Sequence, residues 1–153
     1  MWIDDKGFRQ VLALTPLVSI DLLIQNSIGD VLLGRRRNRP ALGSWFVPGG
    51  RVRKGERLAE TFTRLVRDEV NAVGDMKDAR FLGVFEHFYD DNTFGDRDSG
   101  THYVALAYSL RLSNGIDQIA SDSQHSSLMW WPVDMAKADP TVHPYTKAYL
   151  EGL

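Results

Sequence analysis

The sequence predicts a single domain of interleaved strands and helices, of the α/β or α+β class. Three observations carry that prediction. Residues 17–24 and 79–89 alternate with period two, the signature of strands. Leu58, Phe62, Leu65 and Val66 recur at i, i+4, i+7 and i+8, the signature of a one-sided helix. The chain has 153 residues, 43% of them hydrophobic and 25% charged, which suits one core without staples.

The elements follow in order. Residues 4–13 form a short helix entered through Asp4 or Asp5, and Pro16 precedes the first strand. That strand sets Val18, Ile20, Leu22 and Ile24 on one face and Leu17, Ser19, Asp21 and Leu23 on the other. Ser27 to Asp30 is a turn, and Val31-Leu32-Leu33 returns as the second arm of a hairpin. Arg35 to Gly43 reads as an irregular basic loop, broken by Pro40 and Gly43. Trp45-Phe46-Val47 is a short strand that ends at Pro48-Gly49-Gly50, where two glycines allow a sharp turn and a close approach of backbone to a ligand. The helix follows, and Asn71 to Gly74 ends it. Residues 79–89 and 102–112 are strands separated by a polar loop. Ser113 to Ser127 is polar with a turn at Asn114-Gly115, Leu128 to Trp131 is a strand, and Asp134–Lys137 and Pro144–Leu150 are helical.

Composition excludes several functions. There is no cysteine, hence no disulfide, thiolate metal site or cysteine nucleophile. The net charge of -2 gives no bulk attraction to nucleic acid or anionic membrane. No stretch reaches the ~20 apolar residues of a membrane span, and no secretory signal is visible, so a cytoplasmic protein is expected. The 13 Arg outnumber the 5 Lys, and seven fall between positions 35 and 57. The planar guanidinium fork fits phosphate bidentately. These seven make either a solvated basic surface or a set of which two or three converge on a small polyanion.

One carboxylate is out of place. At about 100° per residue, Glu69 falls in the same arc as Leu58, Phe62, Leu65 and Val66. A buried carboxylate needs a partner or a cation. Either the helix frays there and Glu69 reaches solvent, or Glu69 is a metal ligand or catalytic group. A strand, a glycine pair, Arg51 and then this helix suit a metal-bridged diphosphate.

These residues carry a resemblance. Gly50, Glu56, Arg64 and Glu69 match the spacing of the Nudix box, Gly-x5-Glu-x7-Arg-Glu-U-x-Glu-Glu-x-Gly-U, where U is a bulky aliphatic. The box departs from that pattern at Leu65 and Asp68, which stand where it has Glu, and at Asn71, which stands where it has Gly. The departures resemble those of the GDP-mannose mannosyl hydrolase branch. So do the segments Thr15 to Asp21, Leu33 to Arg36, Asn38-Arg39-Pro40, Trp45 to Arg51, His87 to Asn92, Thr101 to Val104 and Gln124-His125. The resemblance implies that residues 1–153 are a single Nudix hydrolase domain, a mixed sheet sandwiched between helices with the box as loop-helix-loop.

It also implies an enzyme that hydrolyses GDP-mannose, and possibly GDP-glucose in the same way, at the anomeric carbon with inversion. By position, Gly50, Glu69 and Gln124 hold one Mg2+ per subunit, with Mn2+ as the other option. His125 is the general base, Arg36, Arg51 and Tyr103 meet the leaving diphosphate, and Asp21 faces the sugar. Asp90 and Asp91 bind sugar hydroxyls or merely open a loop. Trp2 and Phe8 are candidates to stack on guanine, and the resemblance implies a homodimer that exchanges N-terminal segments. Asp21 could instead pair with an Arg in the sheet, Tyr103 could simply pack, and His87 and His102 stay unassigned between core and pocket. His143, next to Pro144, reads as a helix entry. Two other functions stay open: a Nudix pyrophosphatase attacking phosphorus to give nucleoside monophosphate and sugar 1-phosphate, and a non-catalytic nucleotide-binding module.

Overall fold

The computed structural model describes residues 2–112 and 127–153. Helix α1 is Asp5–Leu14, and Asp4 caps it by accepting from Gly7 N at 2.8 Å. The strands are β1 (Leu17–Gln25), β2 (Val31–Arg35), β3 (Trp45–Phe46), β4 (Gly49–Arg51), β5 (Arg80–Tyr89), β6 (Thr101–Arg111) and β7 (Leu128–Trp131). Helix α2 spans Leu58–Leu65, α3 Val133–Ala138 and α4 Pro144–Leu150. The sheet runs β3-β2-β1-β6-β5, with β4 also on β1 and β7 also on β2. Only β1 and β6 are parallel among the paired strands; the other pairs are antiparallel, so the sheet is mixed.

The alternation of β1 sorts the core into two layers. Ile20, Leu22 and Ile24 pack with Phe62, Leu65, Val66 and Val70 on the α2 side. Leu23 packs with Leu33, Phe46, Trp131, Tyr149 and Leu150 on the α3–α4 side. Ser19 and Asp21 share that second face and are buried on it without being apolar.

Three local features differ from the sequence expectation. First, Gly49 and Gly50 belong to a strand, not a turn: Ser19 pairs with Arg51, Ile20 with Gly50 and Asp21 with Gly49. A Cβ on Gly49 would stand 2.5 Å from Ile20 O and 2.6 Å from Asp21 Oδ1, and one on Gly50 would stand 2.7 Å from Leu65 Cδ2. Close packing against backbone requires glycine at 49, whereas a side chain at 50 would first displace the tip of Leu65. Second, α2 does not run through Glu69. It stops at Leu65, and Val66–Val70 form a single π turn closed by Asn71 in the left-handed region at φ 56°. The wider turn advances each residue by less than the 100° of an α-helix. Val70 therefore takes the core position and Glu69 stands half-buried at the rim. Third, a bulge between Phe81 and Gly83 breaks the alternation of β5, so Phe81 packs on Tyr108 while Leu82 and Phe85 join the opposite layer.

The loop from β4 to α2 is bolted down by one ion pair. Arg64 donates to both oxygens of Glu56, at 2.8 and 2.9 Å, and to Arg51 O at 3.0 Å. Glu56 also accepts from Arg53 N and Thr61 Oγ1. These donors, Arg64 first, hold its carboxyl down at about 2. A depressed carboxyl stabilises the fold above its unfolded value and loses that contribution as pH falls. Glu56→Gln is expected to cost about 1–2 kcal/mol at pH 7, the pair being partly solvent-screened. The gap to the native protein should close below pH 4.5, as Glu56 becomes protonated. Urea unfolding of both proteins at pH 7 and pH 3 measures this, and an equal gap at both values would refute it.

Candidate functional site

The site is built on the face of the sheet that carries Asp21. Parallel pairing aligns Asp21 with Ala107, Ser19 with Ala105 and Leu17 with Tyr103, and antiparallel pairing aligns Tyr103 with His87 and Thr101 with Tyr89. Asp21, Tyr103, His87 and Tyr89 therefore project to one side. Phe46, Val47, Gly49 and Gly50 wall that side from β3 and β4, and Arg36 and Pro40 close it from the basic loop. The resulting cavity has a volume of about 70 Å³. That is well above the ~10–15 Å³ needed to hold a single water, so a small polar group can enter.

Two further cavities adjoin it. A groove of about 340 Å³ runs past Arg35, Arg36, Arg37, Pro48, Gly49 and Glu69. A third, of about 170 Å³, lies between Phe8, Leu12, Asn38, Arg39, Thr93 and Thr101. Arg36 lines all three, its Nε anchored on Pro40 O at 2.8 Å.

Asp21 is 7% exposed and lies at the base of the first cavity. Burial pushes its carboxyl up to about 6, against the opposing pull of the Tyr149 hydroxyl and the Arg36 charge. Tyr149 Oη lies 2.5 Å from Asp21 Oδ2 and 3.2 Å from His87 Nε2. The His87 ring stacks on Tyr145 at 4.1 Å and 5°. Burial, and then the nearby His143, push His87 down to about 4, so it is neutral at pH 7. Burial also pushes the Tyr103 and Tyr89 hydroxyls up, leaving both as neutral hydrogen-bonding groups.

Most of the residues expected from the sequence come together. Asp21, Arg36, Gly50 and Tyr103 line the first cavity, and Glu69 lines the adjoining groove. Arg51 follows Gly50 on β4, with its guanidinium carbon 5.1 Å from the centre of the Phe8 ring. Phe8 lines the third cavity, but Arg51 and the edge of Phe94 already occupy parts of its surface. Others fall elsewhere. Asp91 is paired with Arg39 at 3.0 Å, its carbonyl accepts from Thr101 Oγ1, and Asp90 is exposed; neither lines these cavities. Trp2 is 81% exposed and lines none of them. Gln124 and His125 lie outside the described residues.

Sequence reasoning missed Tyr89, Tyr145, Tyr149 and Ser19, and left His87 unassigned. The alternation of β5 does put His87 and Tyr89 on one face. Nothing local marks Tyr149, because its partners lie 62 and 128 positions away.

The donor chemistry fits a hard divalent cation. Glu69 supplies a carboxylate beside the Gly49–Gly50 backbone, whereas Asp68 faces Arg67 at 2.8 Å. Among the described residues no group of three His, Asp or Glu side chains gathers as a multi-ligand metal cage. One carboxylate with neutral oxygen donors suits a single Mg2+ or Mn2+ that keeps several waters.

The elevated Asp21 carboxyl has a consequence for stability. The folded protein holds this proton more tightly than the unfolded chain, so the group costs stability as pH rises from 3.8 to about 6. The cost is fully present above that range and amounts to about 3 kcal/mol at most. Asp21→Asn removes it. The stability of the variant relative to the native protein should therefore rise between pH 4 and 7, as read by thermal unfolding in buffers across that range. A relative stability independent of pH would contradict the assignment.

Comparison with known proteins agrees with this architecture. A family model described as NUDIX domain matches residues 15–151. The low-salt glycan biosynthesis protein Agl8 of Haloferax volcanii is 40% identical over 151 residues, covering 99% of this chain and 90% of that protein. The ADP-ribose pyrophosphatase of Methanocaldococcus jannaschii is 28% identical over 123 residues, covering 80% and 66%. The solved MutT NUDIX hydrolase from Burkholderia pseudomallei superposes with a TM-score of 0.70 at 25% identity, covering 91% of this chain and 98% of its own. A MutT protein from Methanosarcina mazei gives 0.67 at 22%, covering 89% and 91%, a likeness of fold. The mixed sheet between helices, with its strand-glycine-helix box, is the Nudix fold, and the chain belongs to the Nudix hydrolase family.

Proposed function

We propose that this Nudix hydrolase cleaves GDP-mannose, or a closely related GDP-hexose, to GDP and the free sugar by water attack at the anomeric carbon. The observation that carries this reading is the buried Asp21 at the base of a small cavity, with Arg36 at its edge and Arg35 and Arg37 in the adjoining groove. A carboxylate there repels a diphosphate and favours a group that gains positive charge. A glycosyl carbon leaving a diphosphate does so, through an oxocarbenium-like transition state. Departures in the box point the same way: Leu65 stands in place of a glutamate and Asp68 is paired with Arg67, so Glu69 is the box carboxylate on the groove. The 40% relative is named for glycan biosynthesis, a process that draws on activated sugars.

In this mechanism Arg36 and Arg51 absorb the negative charge that develops on the GDP oxygen, and Tyr103 donates to it. Asp21 stabilises the positive sugar ring. His125 takes the proton of the attacking water. The water oxygen bonds to the carbon from the face opposite the diphosphate, and the breaking C–O pair leaves with GDP, which gives inversion. Glu69, the Gly50 carbonyl and Gln124 would hold a divalent cation, which would supply further charge neutralisation on the diphosphate. GDP is a good leaving group, so no general acid is required. The working unit is proposed to be a cytoplasmic homodimer with one Mg2+ per subunit.

A second reading has one observation behind it, the match to a relative named ADP-ribose pyrophosphatase. That chemistry attacks phosphorus. Incubation of the protein with GDP-mannose and Mg2+, followed by anion-exchange separation, decides between the two. GDP with free mannose is expected; GMP with mannose 1-phosphate would overturn the proposal. His125→Ala is expected to lower kcat by about 100-fold or more with KM little changed, since a base acts in the transition state. A rise in KM with kcat intact would remove His125 from that role. EDTA should abolish turnover and Mg2+ restore it.

A further inference from the structure

Tyr149 reaches the cavity from the C-terminal helix, where neither charge patterning nor the box places it. It is fully buried, and its ring packs edge-on against Phe85 at 4.7 Å and 88°. Its hydroxyl meets two polar groups of the site, Asp21 Oδ2 at 2.5 Å and His87 Nε2 at 3.2 Å. His87 is itself fixed by the parallel Tyr145 ring, and Tyr145 is locked to the β5 edge: Phe88 N donates to its hydroxyl at 3.1 Å, and that hydroxyl donates to Phe88 O at 2.9 Å. His143 caps the same helix, its Nδ1 accepting from Tyr145 N at 3.0 Å. Two tyrosines four residues apart on α4 thus hold two side chains of the cavity floor.

The direction of these bonds follows from proton counting. A tyrosine hydroxyl carries one proton and donates once, and an ionised carboxylate only accepts. Tyr149 must therefore give its proton to Asp21. Among the described residues the polar contact left to the hydroxyl is His87 Nε2, which must then donate. That fixes His87 as the neutral tautomer protonated at Nε2.

We infer that Tyr149 is the positioning residue of this site: in the order His87 to Tyr149 to Asp21, donated protons hold Asp21 by Oδ2 and leave Oδ1 facing the β4 wall of the cavity. The placement of Oδ1 agrees with Gly49, whose missing Cβ would stand 2.6 Å from that oxygen. Donor chains of this kind polarise one another and hold a carboxylate more firmly than any single bond. The C-terminal helix is by this inference part of the active site rather than a cover for the sheet. The effect on turnover rests on the proposed role of Asp21; the proton order does not.

The test uses the full chain and has two arms. In the first, long-range nitrogen–proton correlation NMR at pH 8 reads the His87 tautomer of the native protein. Protonation at Nε2 is expected, and protonation at Nδ1 overturns the inference whatever the substrate. In the second, Tyr149→Phe keeps the ring and removes only the hydroxyl. Its kcat on GDP-mannose should fall about 10- to 100-fold with KM within about three-fold, the scale of lost supporting contacts. Unchanged kcat with a lowered melting temperature would mean a purely structural tyrosine and would overturn the positioning role. Should the native protein release no GDP from GDP-mannose, the proposed function fails, and the tautomer alone decides the proton order. A Tyr149→Phe protein that does not fold leaves the first arm, on the native chain, to decide in the same way.

Discussion

The close approach of β4 to β1 and α2 is the constraint on which the rest of the site depends. Gly49 lies against the Ile20 carbonyl and the Asp21 side chain, and Gly50 lies against Leu65. A side chain at 49 would push β4 away from β1, and one at 50 would press on the buried Leu65. With β4 in place, the Gly50 backbone, the Asp21 cavity and the rim of the π turn share one wall. The ion pair of Glu56 and Arg64 holds the far end of the same segment, since Arg64 also donates to Arg51 O. Strand and helix are thus fixed relative to each other within a few residues of the groove. What sets the approach is the space that a missing Cβ leaves.

Electrostatics then divides the space. The basic loop after β2 sets Arg35, Arg36 and Arg37 along the groove, with Arg36 shared among three cavities. Asp21 supplies negative charge at the base of the first cavity and is kept from full desolvation by Tyr149. A carboxylate taken out of water without such a donor would protonate. The hydroxyl therefore keeps the charge available at neutral pH, while Arg36 pulls in the same direction.

Much of this was legible in the sequence. Both faces of β1 were, because that strand is buried on both sides and its odd face still carries Ser19 and Asp21 among apolar residues. The hairpin, the basic loop and the apolar stripe of α2 were legible too, as each depends on local spacing. The short strand β4 was not, since two glycines carry no side-chain periodicity and pair only through a neighbour 30 positions away in the chain. The π turn was not, because a period of 100° is assumed by any helical projection, and one wide turn exchanges Glu69 with Val70. The bulge in β5 escaped for the same reason, and Gly83 at φ 145° was its one local mark. Tyr149 could be found only by knowing the fold.

The division of charge bears on which bonds such a site can break. On the proposed reading, a substrate lying from the Asp21 cavity into the groove has its sugar beside the buried carboxylate and its diphosphate beside Arg35 and Arg37, with Arg36 at the boundary between them. A bond spanning that boundary is polarised in the direction of heterolysis before any base acts. A bond wholly inside the groove lies among Arg35, Arg36, Arg37 and Glu69 and does not span that boundary. The first case is a sugar–phosphate linkage with its ring in the smaller cavity; the second is a phosphoanhydride. Attack at phosphorus in the groove would draw on metal-held carboxylates, and Leu65 has replaced one carboxylate of that pattern while Asp68 is turned to Arg67. Asp21, buried and held by a hydroxyl from the last helix, brings negative charge to the cavity, and this is why the proposed reaction is one that builds positive charge on carbon.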